Sequence, residues 1–441
     1  MYILQQKPIE NLTIEDIARC YVEGTAAYED DEIARQEITK LNKEIYQINA
    51  AGDPKKVLSR NIFSDVENTE RPSPVTTDAR ERSEKESFSS PRLVELYWKG
   101  RELSYEYFNN FYDSIGVKFD KYYPESTVAQ LGLETVKKEL EKGVYEMSDG
   151  AVIFNGEKYG LHTRVFINKE GVPTYEAKDV GLIFQKDKDY HFDKSVVITG
   201  NEQLEYMKVV LKSIEQYAPE LVKKTSHLTH GLVKLPGNVK MSSRKGNFLK
   251  AVDVIDMVRG ELSSAYDSSD EKVSLAATKY AFLKYKMGGN IIFDPKESVK
   301  MTGNSGPYLL YACVRAKKIL ASVDNTFEEH ISRRGKYGAT EARNDGPEGA
   351  FRKSIITDAE RNLAKKILEY KGALEEAVAE MAPHKVANYL YELAQEFSRF
   401  YENCQVAGSA EEAERIKLVK VYLGTMTHGL NILGINIPEE M

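Results

Sequence analysis

Residues 195–217, SVVITGNEQLEYMKVVLKSIEQY, begin with a short β-branched run and pass through a polar turn into a stretch with helical spacing. A β-branched run bounded by turn residues predicts a strand, and apolar residues recurring every three or four positions predict a helix. Two more short apolar runs, AVIF (151–154) and RVFI (164–167), precede this stretch. The helical stretch TYEAKDVGLIF (174–184) lies between RVFI and residue 195. Strands alternating with helices predict a parallel, Rossmann-like sheet in this middle part of the chain.

The flanking parts of the chain are predicted to be helical. Thr13 is placed to cap the run IEDIARCYVEGTAAY, and helical character resumes at LVELYWKG. Beyond about residue 270 the pattern is almost entirely helical, and one helix face collects Val386, Leu390, Leu393, Ala394, Phe397, Phe400 and Tyr401. The fold class predicted is therefore an incomplete α/β, Rossmann-like portion with a parallel sheet, followed by an all-α helical bundle.

Two polar segments interrupt this order, and they help to set the predicted domain limits. Residues 53–95 are rich in Ser, Pro, Thr and mixed charge, and residues 323–352 are similarly polar, so we expect both to be flexible insertions. We predict a helical insertion over residues 1–115, the second half of the α/β domain over 116–270, and an all-α domain over 271–441.

The composition narrows the class of protein. No run approaches the ~18 apolar residues of a membrane span, and the start has no secretory pattern. Cys20, Cys313 and Cys404 lie far apart and form no CxxC pair, which indicates a reducing, cytoplasmic compartment and no zinc site. None of the 7 histidines has ligand spacing, so no protein-bound metal is expected. A net charge of −7 means that any nucleic-acid contact must be local and shaped.

The stretch VKLPGNVKMSSRKGNFL (233–249) is a basic loop without acidic residues. Glycines let a backbone approach phosphate oxygens, hydroxyls add hydrogen bonds, and lysines neutralise charge developing on a leaving pyrophosphate. The chain contains no P-loop sequence GxxxxGK[ST]. On composition alone, a solvated basic turn is an equal alternative.

Two further motifs suit a small polar substrate. Thr174 is a plausible helix N-cap, which puts Tyr175 and Asp179 at i and i+4 on one helix face, where a ring and a carboxylate could hold a guanidinium. The turn Asn201–Gln203 follows a strand, at the sheet edge where α/β proteins bind ligands. The alternatives are an ordinary exposed helix start and a simple Asn cap.

A fourth motif, MTGNSGPYLLYACVRAKKIL (301–320), sets Tyr308, Tyr311 and Arg315 at helical spacing after a turn-rich start. Rings and a guanidinium on one face could stack on bases and contact phosphates of RNA. Equally, Tyr308 and Tyr311 could be core residues.

In this order, KMSSRKGN, TYEAKDVGL, NEQ, GNSGPYLLYACVR and the closing LNILGINIPEEM resemble the class I arginyl-tRNA synthetases. KMSSRKGN is similar to the KMSKS signature. The resemblance implies that L-arginine is activated with ATP, with Mg²⁺ on the ATP phosphates, and then transferred to tRNA(Arg). It also implies that the all-α domain binds the anticodon.

The resemblance assigns roles by position. Tyr175 and Asp179 would bind the guanidinium of arginine, and Gln203 its backbone end. The ATP-closing loop would comprise Lys240, Met241, Ser242, Ser243 and Lys245, with Lys240 and Lys245 as the catalytic cations. Tyr308, Tyr311 and Arg315 would belong to the tRNA-facing or core side of the bundle.

Three departures from the family pattern modify these expectations. Ser243 stands where KMSKS has its second lysine, so Lys245 would supply that charge, and Tyr206 stands where the family often has a histidine, so it receives no role. The chain also lacks the HxGH motif of the first nucleotide-binding half. We therefore expect an amino-terminally truncated enzyme, inactive or impaired alone, with a separate N-terminal half as a partner. The alternative is a non-catalytic tRNA-binding module.

Overall fold

The computed structural model describes residues 1–6, 8–51, 91–237, 250–267, 270–336 and 356–441. These residues form two compact units, one running to Leu228 and the other starting at Thr229. Residues 53–90 of the predicted flexible insertion lie outside the described residues. The prediction is wrong for residues 91–95, which form the first turn of a helix that continues to Ser114. Within the described residues, no helix is long and apolar enough to cross a membrane.

The first unit begins with two helices, as the sequence predicts. Thr13 closes a reciprocal capping box, in which the Asp16 amide donates to the Thr13 hydroxyl over 3.2 Å and the Thr13 amide donates to the Asp16 carboxylate over 3.3 Å. The described helices of this unit are α1 (Ile14–Asp30), α2 (Glu32–Ala51), α3 (Pro91–Ser114), α4 (Glu125–Glu141), α5 (Tyr175–Tyr190), α6 (Leu204–Glu215) and α7 (Pro219–Lys223).

The strands of this unit only partly follow the prediction. The described strands are β1 (Glu146–Ser148), β2 (Ala151–Phe154), β3 (Arg164–Ile167), β4 (Ser195–Gly200) and β5 (Thr225–His230). AVIF and RVFI are strands, but β1, β2 and β3 form an antiparallel meander. Their predicted parallel arrangement is wrong because only a 3₁₀ turn (Gly156–Tyr159) joins β2 to β3, and a parallel pair needs a crossover of about a dozen residues. By contrast, β4 pairs with β5, and helices α6 and α7 lie between these two strands in the sequence.

Helices α4 and α5 approach so closely that only glycine fits at their crossing. A Cβ added at Gly132 would lie 1.9 Å from the backbone oxygen of Ala177, and one at Gly181 would lie 2.2 Å from that of Val128. Neither neighbour is a flexible side-chain tip that could move away. The crossing therefore fixes where α5 lies against the buried core of this unit.

Gly132→Ala is expected to lower the free energy of unfolding by ~1–3 kcal/mol or more, because overpacking must force the two backbones apart. The measurement is a urea titration followed by circular dichroism. Gly24→Ala is the matched control, since its Cβ would find only Ile3 at 3.9 Å and a helix interior favours alanine. Equal stability of Gly132→Ala and the wild type would contradict the close crossing.

The second unit is mainly helical. Its described helices are α8 (Ala251–Tyr266), α9 (Glu271–Leu283), α10 (Pro295–Ser298), α11 (Gly306–Lys336), α12 (Asp358–Leu368), α13 (Tyr370–Ala379), α14 (Pro383–Asn403) and α15 (Glu412–Ile432). Two short strands, β6 (Val233–Lys234) and β7 (Ile291–Ile292), pair in parallel. The predicted order, an α/β portion followed by an all-α bundle, is confirmed.

The core of the bundle contains nearly all of the helix face predicted from the sequence. Residues of α14 from Val386 to Phe400 that were assigned to this face are buried, whereas Tyr401 is 44% exposed. Helix α11 continues to Lys336, so the start of the predicted excursion at 323 is helical backbone. Residues 337–352 of that excursion lie outside the described residues.

Candidate functional site

The first turn of α5 is tied to the neighbouring strand β3. Thr174 is the N-cap residue, as predicted, but its hydroxyl makes no side-chain cap. It donates instead to the backbone oxygens of Val165 over 2.7 Å and Phe166 over 3.0 Å. This contact and the α4 crossing hold the helix start, and hence Tyr175 and Asp179, in a fixed place.

Asp179 is largely withdrawn from water and accepts a hydrogen bond from the hydroxyl of Tyr206 over 2.5 Å. Burial raises the pKa of this carboxyl above its ordinary value, although the bond from Tyr206 opposes that shift. No lysine or arginine in the described part of the chain forms an ion pair with it. A carboxylate that is held by one neutral donor, with no ion pair from the described residues, can receive a cation.

Tyr206 lies on α6 and is 9% exposed. Its ring contacts a second polar group, the Arg164–Glu176 pair. The Arg164 guanidinium carbon lies 5.2 Å from the centre of its ring, and the Arg164 Nη1 donates to the Glu176 carboxylate over 3.2 Å. Burial and the nearby Asp179 raise the pKa of Tyr206 well above its usual range. Its hydroxyl therefore remains protonated and acts as a donor to Asp179.

Sequence reasoning missed Tyr206, Arg164 and Glu176. In the sequence, Tyr206 reads as one more apolar position of an amphipathic helix, and Arg164 as the first residue of a strand. The sequence offered one signal for Tyr206, which is that it lies three residues after Gln203. The resemblance to the family assigned no role to Tyr206.

Tyr175 lies one helical turn before Asp179 and is 65% exposed. The Lys178 ammonium lies 4.8 Å from the centre of the Tyr175 ring and 2.7 Å from the Glu125 carboxylate. Because the Tyr175 ring is largely exposed, a planar cation can reach it.

Of the remaining residues predicted for the site in the α/β part, the structure describes Gln203 but not those of the basic loop. Gln203 is exposed and ends the 3₁₀ turn that follows β4, as expected for the carboxyl end of a strand. Nearby, the Thr199 hydroxyl and the His227 Nε2 lie 2.8 Å apart, and burial lowers the pKa of His227. The predicted loop residues Lys240, Met241, Ser242, Ser243 and Lys245 lie outside the described residues.

In the second unit, the three residues predicted to face tRNA or the core do not share one environment. Tyr308 packs against the core, and its hydroxyl lies 3.2 Å from that of Ser398. Arg315 donates to the Tyr311 hydroxyl over 2.8 Å, and its guanidinium carbon lies 4.3 Å from the Tyr311 ring centre and 5.0 Å from that of Tyr401. Tyr311, Arg315 and Tyr401 thus form one partly exposed stack, to which the sequence analysis had not assigned Tyr401.

The polar clusters of the described ranges do not suggest a metal site. No group of three or more His, Cys, Asp or Glu side chains there could hold a metal ion. The three cysteines are buried and free, so none is joined in a disulfide.

Comparison with known proteins gives two family matches. Residues 2–293 match the family model "tRNA synthetases class I (R), catalytic domain", and residues 309–441 match "DALR anticodon binding domain". An arginine–tRNA ligase from Porphyromonas gingivalis is 30% identical over 393 residues, which cover 85% of this chain and 63% of the relative. One from Flavobacterium psychrophilum is 28% identical over 396 residues, with coverage of 85% and 62%. The chain therefore spans slightly less than two thirds of these relatives' length.

Solved structures give the same fold. Arginyl-tRNA synthetase from Thermus thermophilus superposes with a TM-score of 0.59 at 22% identity, covering 79% of this chain and 66% of that one. The enzyme from Plasmodium falciparum gives a TM-score of 0.61 at 18% identity, covering 87% and 62%. At these identities the likeness concerns the fold.

Proposed function

The chain belongs to the arginyl-tRNA synthetases of class I, and on that premise we propose that it supplies the arginine pocket, ATP loop and anticodon-binding domain of an arginine–tRNA ligase. The reaction would be attack of the arginine carboxylate on the α-phosphate of ATP, with release of pyrophosphate. Transfer of arginine to tRNA(Arg) would follow. We propose a cytoplasmic location for this activity.

The observation that carries the proposal is the Asp179 carboxylate, withdrawn from water, bonded to Tyr206 and without a described cationic partner. A guanidinium supplies both the missing charge and paired N–H donors. Tyr175, exposed one turn away, would cover the planar cation, and Gln203 would hold the polar backbone end of arginine. This set of groups matches arginine better than lysine, which offers a point charge without the fork.

The ATP part of the proposal rests on sequence. Lys240 and Lys245 would neutralise the phosphates during pyrophosphate release, and Met241, Ser242 and Ser243 would complete the closing loop. Mg²⁺ would be bound by the ATP phosphates, with no protein-held metal. Residues 271–441 would bind the anticodon region, and Tyr311 and Arg315 would contact RNA there. Tyr308, from its packing, would support that surface from the core side.

We further propose that these 441 residues do not complete the catalytic centre by themselves. They contain no HxGH, the motif that class I enzymes contribute from the first half of the nucleotide-binding fold. Removing even one preorganised donor at such a centre typically lowers the rate 10²–10³-fold. A segment bearing that motif would have to be supplied, whether on the same polypeptide or by a partner.

The different-class alternative is a tRNA-binding module without catalysis. The matched anticodon-binding domain is compatible with it. The Asp179–Tyr206 pair favours the enzyme, because a module that only bound tRNA would have no use for a carboxylate that is largely withdrawn from water and has no ion pair in the described residues.

Incubation of the 441-residue chain with tRNA(Arg), labelled arginine, ATP and Mg²⁺ tests the proposal. The expected result is binding of the tRNA with charging at background level. Charging restored by an HxGH-bearing first half would support the divided centre. Charging by this chain alone at an ordinary synthetase rate, of order 1 s⁻¹ or above, would refute that part of the proposal. Failure to bind the tRNA would refute the assignment of the bundle.

A further inference from the structure

A cavity of about 550 Å³ lies among the amino-terminal helices of the first unit, and the arginine pocket proposed above does not use it. Its size is within the range of small-molecule sites. Its wall is mainly apolar, with aromatic rings and a few polar groups; the lining includes Tyr21, Tyr97, Tyr105, Phe108, Arg101 and Ser126.

Arg101 supplies the positive charge of the cavity. Its guanidinium nitrogens face only neutral acceptors, at 3.3 Å from Asn49 Oδ1 and Ser126 Oγ, 3.4 Å from the Tyr105 hydroxyl, and 3.5 Å from the Tyr97 hydroxyl. Ordinary N–H···O bonds are ~2.7–3.2 Å long, so all four contacts are loose. Among the described residues, no carboxylate pairs with Arg101, and its charge is available to an anion.

The acidic residue of the cavity wall does not cancel this charge. Glu125 lines the cavity, but its carboxylate is paired with the Lys178 ammonium over 2.7 Å. The wall therefore has one compensated carboxylate and one uncompensated guanidinium, which favours a ligand with a negatively charged group.

The rings beside Arg101 suit a flat partner. Tyr21 is 60% exposed and Phe108 is 45% exposed at the cavity, so both present ring surface to an incoming group. Trp98 lies behind Arg101, with its ring centre 5.2 Å from the guanidinium carbon, and its buried indole N–H has no acceptor. Bases stack on such rings without strong sequence preference.

From these features we propose that the cavity binds a phosphorylated nucleoside, presented by single-stranded RNA, with a phosphate on Arg101 and the base against the Tyr21 and Phe108 rings. The choice of RNA as its source rests on the proposed function; the site itself rests on the cavity and its contacts. A free nucleotide has the same chemistry, and the test separates the two.

Trp98 is the only tryptophan of the chain, and its ring centre lies 5.2 Å from the Arg101 guanidinium carbon, so its fluorescence reports on the surroundings of Arg101. Its fluorescence is followed while the protein is titrated with a single-stranded RNA hexamer, with AMP, or with inorganic phosphate. The expected result is a saturable change with the hexamer. An equally tight change with AMP would assign the site to free nucleotides. An equal response to inorganic phosphate would refute base recognition, and no response to any probe would refute the site.

Variants then test the two contacts. Arg101→Gln should weaken hexamer binding about 10-fold or more, and should reduce the slope of log K against log salt by about 0.7, the value for one phosphate contact on a single strand. Tyr21→Leu, at an exposed position of the cavity lining, should weaken binding at least about 5-fold. Arg35→Gln is the matched control, since Arg35 lies 5.6 Å from the Tyr28 ring but is paired with Glu32 at 2.7 Å.

Unchanged affinity and salt slope in Arg101→Gln, or unchanged affinity in Tyr21→Leu, would refute the proposal. Its failure can be distinguished from that of the proposed function. Whole tRNA could bind and the charging results could stand with no change in Trp98 fluorescence, in which case only the cavity assignment is wrong.

Discussion

Asp179→Asn is expected to weaken arginine binding at least ~30-fold, the largest effect of any single substitution in the proposed pocket. The asparagine keeps the shape of the side chain but removes the charge, and loss of one partner from a desolvated, hydrogen-bonded charge pair typically costs ~2–5 kcal/mol. Equilibrium dialysis with labelled arginine measures the affinity. Asp189→Asn is the control, because Asp189 lies on the same helix but pairs with Lys121. An equal loss in both variants would contradict a specific role for Asp179.

The same substitution should leave the protein as stable as before or more so. The pKa of Asp179 is raised in the folded state, so the folded protein binds more protons than the unfolded chain between the ordinary and the raised pKa. Stability therefore falls as pH rises through that window, and above it the buried charge remains destabilising. Asparagine removes this cost. A variant that binds poorly but unfolds at the same or a higher urea concentration identifies a binding carboxylate rather than a structural one.

Tyr206→Phe is expected to weaken arginine binding about 10-fold, because Asp179 loses the donor that holds its carboxylate, and a hydrogen bond to a charged group contributes ~1.5–3 kcal/mol. Dialysis again gives the affinity. Tyr217→Phe is the matched control, as it removes another partly buried hydroxyl, 3.2 Å from that of Tyr145. Unchanged affinity in Tyr206→Phe would mean that the hydroxyl does not position Asp179.

The pH dependence of binding separates positioning from simple structural support. Arginine binding requires the Asp179 carboxylate, so affinity should fall as pH drops through its raised pKa. The Tyr206 bond lowers that pKa, and its removal should move the fall to higher pH. The other charged groups around Asp179 are Glu125, Glu176, Lys178 and Arg164. They are unchanged in the variant, and an unshifted midpoint would contradict the positioning role.

Local signals in the sequence predicted much of this fold. Thr13 marks a helix start because an N-cap depends only on neighbouring residues, and the buried face of α14 follows from a 3.6-residue period. The antiparallel pairing of β2 with β3 was not predicted, since pairing depends on the connection between strands as well as on their composition. The Gly132–Ala177 approach depends on two distant helices meeting, and no local pattern encodes it.

The candidate site likewise has residues that local sequence signals predicted and contacts that they did not. Tyr175 and Asp179 could be singled out because they share one helix and a fixed spacing. The contact of Asp179 with Tyr206, and of Tyr206 with Arg164, joins side chains from α5, α6 and β3. Such contacts arise only from packing. The Arg101 cavity was missed for the same reason, because its wall draws on α1, α2, α3 and the start of α4.

The central claim is that Asp179 and its neighbours select a guanidinium, and comparing arginine with citrulline tests it most directly. Citrulline has nearly the same shape but no charge, and would leave the largely desolvated Asp179 carboxylate without an ionic partner. Competition dialysis against labelled arginine should show arginine binding at least ~100-fold more tightly than citrulline, with lysine weaker than arginine. Equal displacement by arginine and citrulline would contradict the account, because the pocket would then not read the charge for which Asp179 is proposed.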